Sequence, residues 1–387
     1  MSERKKLVFF ITHSVGELDV VLPIICRLIS SGEKYEVTVC FLVKKLFDQY
    51  LNEEQYRYMF KLMTIQFCFI QMPNKFDYKN KRENNLSNMV LRLKRNVINP
   101  LSLIKVYFIL HGVERVFHEY SCQIKTLKFI YLFSRLFRKN LYTYSHGHAC
   151  CINTNIKKIH FCTKYSHFLN FHEHSELTFI NAGYVNQSII GYPKFYPEWK
   201  NFVLENFSQN FYKEKYILIY SRPVSPYYMS EDLYKELLIE TFSAIYECFG
   251  SETLVVIKTH PREDAELIHK LLANSNIKYV ISQKESSVLS LHARLAVSFW
   301  TSAILSSVAF GVPSIEFYKE SSSFHEIEPL GSSYKNIGLK SAKTKQELIV
   351  FIRQVLLNNY SPPLDALDIL KKGSSVNFAE VFNQGSR

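Results

Sequence analysis

Several signatures that would classify this chain at once are missing. No G-x-G-x-x-G fingerprint and no G-x-x-x-x-G-K-[ST] loop is present, which argues against a dinucleotide oxidoreductase and excludes a P-loop enzyme at motif level. The eight cysteines (Cys26, Cys40, Cys68, Cys122, Cys150, Cys151, Cys162 and Cys248) form no C-x-x-C pair and no Cys/His zinc spacing. They read as reduced, mostly buried thiols of a cytoplasmic protein, and the Asn-x-Ser matches at Asn85, Asn186 and Asn206 are then chance. No D-x-D metal motif occurs, so no metal or other cofactor is expected. No run reaches the roughly 20 apolar residues needed to span a bilayer; the longest, Leu101 to Val113, is shorter and carries Lys105. No secretory signal is visible, because the apolar run after Lys6 has the length of a strand and His13, Glu17 and Asp19 follow closely. Acidic residues are also scarce: 35 Asp and Glu face 47 Lys and Arg, a net charge of +12. That balance points to an anionic partner such as a nucleotide, an acidic glycan or a phospholipid surface.

What is present is an α/β chain. Its 387 residues, 47% of them hydrophobic, suffice for two cores. Lys6 to Thr12 is a buried strand, His13 to Glu17 a turn, Leu18 to Ser30 a helix, and Tyr35 to Val43 the next strand, which together open a Rossmann-like domain. Residues Lys45 to Leu110 are less periodic, with a basic amphipathic stretch at Asn88 to Ile104 that suits a solvated helix face or a membrane surface. Further strand and helix candidates are Val113 to Phe117, Leu127 to Phe137 and Leu141 to Tyr144, followed by short strands at Lys158 to Phe161 and Leu177 to Ile180. The prolines around Gly191 to Trp199 mark a linker. The expected domains are 1–193, 194–360 and a tail, 361–387, that packs back across them or frays.

The chemistry gathers at strand ends. Leu295 to Ser298 is a strand and Thr301 to Phe310 a helix, so Thr301 and Ser302 fall at a helix start, where free N–H groups and the dipole favour an anion. Strand Thr253 to Ile257 runs into Lys258, Thr259, His260, Pro261 and Arg262, and strand Tyr216 to Tyr220 into Ser221 and Arg222. Ligands of open parallel sheets bind beyond the carboxyl ends of the strands, so Arg222, His260, Thr301 and Ser302 are expected to share one anion site. Glu17 lies at the same edge of the first domain, with Asp19 as the helix-start carboxylate. Ser145-His146-Gly147-His148 forms another strand-end loop, suited to hydrogen bonding toward an acceptor or phosphate rather than to zinc.

These residues carry a resemblance. The chain resembles a GT-B glycosyltransferase, with two Rossmann-like domains facing a central cleft. Ser14-Val15-Gly16-Glu17 is similar to the S-V-G-E loop of the Kdo transferases of lipopolysaccharide assembly, whose Glu is the catalytic base. His260-Pro261 followed by Thr301-Ser302 resembles the motifs with which bacterial sialyltransferases, polysialyltransferases and Kdo transferases hold CMP. The departures are the lack of a basic transmembrane anchor and of the acidic-acidic-Gly motif of the sialyltransferases. Ser145-His146-Gly147 is also similar to an element of the teichoic-acid polymerases, which keeps a CDP-glycerol donor open.

The resemblance implies a metal-independent transfer of a 2-keto acidic sugar (Kdo, sialic acid or another nonulosonic acid) from a CMP donor to a hydroxyl of a cell-surface glycan or glycolipid, as in capsule or lipopolysaccharide assembly. It assigns Glu17 as base, Arg222, His260, Pro261, Thr301 and Ser302 to the nucleotide, and Ser14, Gly16, His146 and His148 to the donor and acceptor loops. The expected protein is cytoplasmic, touches the inner membrane surface and binds no nucleic acid. A UDP-sugar transferase and a sugar-nucleotide 2-epimerase share the fold, and a basic nucleic-acid- or membrane-binding module would account for the charge alone.

Overall fold

The computed structural model describes residues 4–12, 14–71, 100–120, 127–146, 166–209, 212, 214–225, 228–260, 263–360, 368 and 370–384. Two sheets, one in each half of the chain, carry the fold. The first holds β1 (Lys5–Ile11), β2 (Tyr35–Phe41), β3 (Gln66–Phe69), β4 (Arg115–Glu119), β5 (Asn140–Tyr144), β6 (His167–Asn170) and β7 (Gln187–Ile189), in the order β3-β2-β1-β4-β5-β6-β7. The second holds β8 (Tyr216–Tyr220), β9 (Val255–Lys258), β10 (Tyr279–Ser282), β11 (Ala293–Ser298), β12 (Ser314–Phe317) and β13 (Lys340–Ala342), in the order β10-β9-β8-β11-β12-β13. Every pairing within both sheets is parallel.

Parallel strands covered on both faces are continuously apolar rather than alternating. Leu7 through Ile11 and Tyr216 through Tyr220 are buried without a break, and stacking of Phe9 on Phe117, with centroids 4.2 Å apart, ties β1 to β4. Strand order reverses between β1 and β4 in one sheet and between β8 and β11 in the other. Such reversals open a crevice at the carboxyl ends of the strands. The expected α/β architecture of two Rossmann-like domains is the one observed.

Several elements differ from expectation. Leu177 to Ile180 is not a strand but part of the helix Glu176–Asn181. Thr178 and Phe179 are its buried positions, flanked by buried Ser175 and Ala182 at its caps, a spacing of three and four that a helix satisfies and a strand does not. The less periodic region contains the helices Lys44–Asn52, Glu54–Leu62 and Pro100–Gly112 as well as β3. The helix expected from Thr301 begins only at Ile304, because Trp300 takes a left-handed backbone conformation, φ 54°, and turns the chain first. The strand expected at Lys158 to Phe161 and residues 88–99 of the basic stretch lie outside the described residues.

Residues 370–384 return to the first domain. Phe382, in the helix Phe378–Gln384, packs on Phe117 and Tyr142. Arg27 donates to the carbonyls of Ser374 and Val376 and lies over the Tyr196 ring at 4.4 Å. Tyr192 N–H donates to Leu370 O at 3.0 Å. Gly191 and Gly373 meet backbone to backbone at this crossing. A Cβ on Gly191 would sit 2.6 Å from the Ser374 nitrogen, and both glycines have φ above +70°, so other residues fit there only with strain.

Candidate functional site

The two sheets point the carboxyl ends of their strands at each other across a cleft of about 390 Å³. Both chain reversals feed it. From the first domain come Ser14, Gly16 and Asp19 after β1, Glu119 at the end of β4 and His146 after β5. From the second come Arg222 after β8, Lys258, Thr259 and His260 at the end of β9, Gln283 after β10, and Trp300, Thr301 and Ser302 after β11.

The second wall is cationic, aromatic and rich in hydroxyls. The Arg222 guanidinium lies 4.5 Å from the Tyr228 ring and 4.3 Å from the Trp300 ring, and it donates to the Trp300 carbonyl at 2.7 Å. Two rings and one carbonyl fix its plane, which spares a ligand the cost of ordering a long side chain. Thr301 and Ser302 sit in the turn ahead of the short helix rather than in its first turn. Thr301 N–H is held by the Ser298 hydroxyl at 3.1 Å, and the Ser302 hydroxyl reaches the His146 carbonyl at 3.5 Å, the outer limit of a hydrogen bond. His260 lines the cleft, and its backbone N–H donates to the Glu263 carboxylate. Burial pushes the Glu263 carboxyl up to about 7, against the pull of that backbone bond and of Arg222.

The first wall is acidic. Glu17 does not line the cleft. Its carboxylate is fully buried and accepts Thr12 N–H at 3.1 and 3.3 Å and Ser14 N–H at 3.0 Å, with the Tyr144 hydroxyl at 3.5 Å. Asp19, two residues on, is the carboxylate of this loop that reaches the cavity. It accepts the Tyr56 hydroxyl at 2.7 Å and the Ser286 hydroxyl at 3.0 Å. Burial would raise its pKa, but Lys194, Lys258 and these two hydroxyls together hold it below the usual carboxylate value. Glu119, almost wholly buried, places Oε1 3.2 Å from Nδ1 of His146, at ion-pair distance but without hydrogen-bond alignment. Nδ1 is buried, and His146 lines the cleft with its side chain 15% exposed.

The floor joins the domains. Lys194 is 1% exposed and lies 2.9 Å from Glu285 and 3.5 Å from Asp19. Glu285 also accepts the N–H groups of Ser287 and Val288 at the start of helix Ser286–Ser290. A cation from the linker thus sits between a carboxylate of each domain, and the partners of all three offset the cost of burying them.

Ser14, Gly16, His146, Arg222, His260, Thr301 and Ser302 meet in one cavity, and Glu17 stands behind it. Pro261 and His148 lie outside the described residues. Sequence reasoning missed Glu119, Lys194, Tyr228 and Trp300 and gave Asp19 only a helix-start role. Glu119 was open to the strand-end logic that found His260, had β4 been carried two residues further. Among the described residues no cluster of three or more His, Cys, Asp or Glu could hold a metal ion.

No protein-family model matches the sequence, and none of the curated proteins matches it. Solved structures do match in fold. Anabaena HepE in complex with UDP and glucose is similar at 12% identity and a TM-score of 0.54, over 98% of each chain. The Methanocaldococcus jannaschii UDP-GlcNAc 2-epimerase in complex with UDP-GlcNAc and UDP is similar at 12% identity and 0.57, over 98% of this chain and 99% of that one. The S. aureus MnaA co-structure with UDP is similar at 11% and 0.56, over 98% and 97%. The chain has the GT-B architecture, two Rossmann-like domains facing one cleft.

Proposed function

We propose that the chain is a glycosyltransferase that seats a nucleotide-activated sugar against Arg222, His260, Thr301 and Ser302 and transfers it to a hydroxyl held by the first domain. The observation that carries this reading is the opposition of the walls. Oriented cations and hydroxyls suited to a phosphate leaving group face a histidine and two carboxylates suited to deprotonating an alcohol, and the Ser302–His146 contact brings the two together. The similar solved structures hold UDP or UDP-sugars. UDP shares with CMP a pyrimidine nucleoside and an anionic phosphate, which supports a pyrimidine nucleotide.

Within this reading the donor is a CMP-activated 2-keto acidic sugar and the acceptor a cell-surface glycan or glycolipid. That choice rests on the S-V-G-E, His-Pro and Thr-Ser motifs. One phosphate stabilised by Arg222, His260 and hydroxyls needs no divalent ion. The base is His146, beside the buried Glu119 carboxylate, because it is a histidine lining the wall that faces the anion site. Ionised Asp19 holds a sugar hydroxyl. Glu17, whose oxygens are occupied by two amides, sets the shape of the loop that Gly16 brings close to the sugar.

The test is isothermal titration with CMP, CDP, UDP and GDP in chelator. CMP is expected to bind most tightly, and tight binding by UDP alone would move the donor to a UDP-sugar. A second reading, a sugar-nucleotide 2-epimerase, draws support from Asp19, Glu119 and His146 standing in one cleft. Incubation with a nucleotide sugar and no acceptor separates the two, since an epimerase would return an epimerised sugar nucleotide.

A further inference from the structure

The helix Pro100–Gly112, PLSLIKVYFILHG, carries large apolar side chains around most of its circumference, with Lys105 its one Lys or Arg. A helix of that composition is normally covered all round. Here Val106 and Leu110 enter the core, while Leu101, Ile104 and Phe108, at helical spacing on the opposite side, are 65%, 49% and 67% exposed. The helix Leu127–Leu136 lies beside it, with Tyr107 and His111 packed on Phe137 at 5.0 and 5.6 Å and Tyr107 on Phe133 at 5.9 Å. This second helix buries Ile130 and turns Leu132 and Leu136, one turn apart, outward at 58% and 66% exposure. The two packed helices thus turn five large apolar side chains outward between them, more than the singly scattered exposed residues ordinary for a protein surface.

Charge says what covers them. Residues 100–112 and 127–140 contain no Asp or Glu, and Lys105, Arg135, Arg138 and Lys139 stand on or at the end of these helices. Bulky apolar side chains in a setting of cations, without a single carboxylate on either helix, fit the boundary between headgroups and acyl chains of an anionic bilayer. Neither helix is long and apolar enough to cross a membrane. We propose that this face of the first domain docks on an anionic lipid surface, Leu101, Ile104, Phe108, Leu132 and Leu136 entering the acyl boundary and Lys105 and Arg138 contacting headgroup phosphates. The site takes in the end of the basic stretch singled out in the sequence, at Leu101 and Ile104, and extends it to Phe108 and the second helix; it is independent of the donor assignment.

The experiment is co-sedimentation of the full chain with vesicles of phosphatidylglycerol and phosphatidylcholine in equal parts, and with phosphatidylcholine alone. Wild type is expected to pellet with the mixed vesicles, less on phosphatidylcholine and less at high salt. Phe108→Glu with Leu136→Glu is expected to weaken pelleting by at least about tenfold, and Lys105→Glu with Arg138→Glu to remove the preference for anionic lipid. Both variants should keep the wild-type melting temperature and nucleotide binding, since the side chains are exposed. Absence of pelleting by wild type, or variants that pellet like it, would overturn the proposal. So would a wild-type dimer that Phe108→Glu turns into a monomer, which would make the occupant a second copy. A large loss of melting temperature in that variant, without vesicle binding by wild type, would make the occupant a segment of this chain and equally overturn it.

Discussion

At the first sheet's chain reversal the strand ends and loops deliver Asp19, Glu119 and His146; at the second they deliver Arg222, His260, Thr301 and Ser302. The backbones are alike, parallel strands with the order reversing beside β1 and beside β8, so the difference lies wholly in loop chemistry. A Rossmann-like half provides a crevice, and the side chains placed there decide whether it receives an anion or activates an alcohol. The same contrast recurs within one loop. Glu17 and Asp19 are both carboxylates at a helix start, yet one is enclosed by two amides and the other opens to the cavity.

The largest expected effects separate the walls. His146→Ala should lower turnover roughly 10²–10⁴-fold while leaving the nucleotide dissociation constant near wild type. Glu17→Gln, which disturbs a loop, should instead appear mainly as lower stability; an active His146→Ala beside a dead but stable Glu17→Gln would return the base to Glu17. Steady-state kinetics with calorimetry on both variants decides it.

Next in size is the floor between the walls. Lys194→Met leaves Asp19 and Glu285 without their shared cation, a change that costs about 3–5 kcal/mol in buried pairs. Urea denaturation should show that loss, and Glu285→Gln in the same chain should recover part of it. A Lys194→Met midpoint equal to wild type would mean that the domains are joined by apolar packing alone.

A smaller effect tests the second wall. Arg222→Ala should weaken nucleotide binding by about 1.5–3 kcal/mol, roughly ten- to 150-fold, with proton abstraction intact. Arg222→Lys should recover little, because a lysine ammonium has no plane to lay against the Tyr228 and Trp300 rings. Equal affinity in all three proteins, measured by calorimetry, would place the phosphate elsewhere in the cleft.

The smallest effect contrasts carboxylates of the two domains by pH. Asp19 is held below its ordinary value, so its contribution to stability is present above the unfolded pKa and fades as pH falls through the folded one. Glu316, on β12, is the reverse. Burial pushes it up to about 7 although the Ser332 and Ser341 hydroxyls bond it, so the folded state is favoured below pH 4.5 and loses that advantage as pH rises through 7. Glu316→Gln should therefore gain about 1–3 kcal/mol on wild type between pH 5 and pH 8, and Asp19→Asn should blunt the loss of stability in acid. Thermal melts across pH 3–8 would show both slopes, and parallel curves for wild type and variants would refute the assignment.

Architecture was legible because buried parallel strands are written as unbroken apolar runs, as in Leu7 to Ile11. Arg222, His260, Thr301 and Ser302 were legible because each directly follows such a run. Other features were written in spacing that runs of like residues obscure: Ser175, Thr178, Phe179 and Ala182 define a helix only once their burial is known. Glu17 could not be told from Asp19, since which of two neighbouring carboxylates meets the Thr12 and Ser14 amides is settled by a turn of two residues. Lys194 was hidden for another reason. Its partners Asp19 and Glu285 lie far from it in sequence, and nothing local announces a buried ion pair.

The crossing at Gly191 and Gly373 has a consequence for how the protein is made. Phe117 and Tyr142 are covered by Phe382, and Arg27 is satisfied by carbonyls near residue 375. The first domain to leave the ribosome is therefore the last to be finished. At about 5–20 residues per second, roughly 180 residues of the second domain separate the two halves of that contact by some 10–40 s. During that interval an apolar patch over β4 and β5 stands open on the nascent chain, and the second domain folds as an insertion within the first rather than after it.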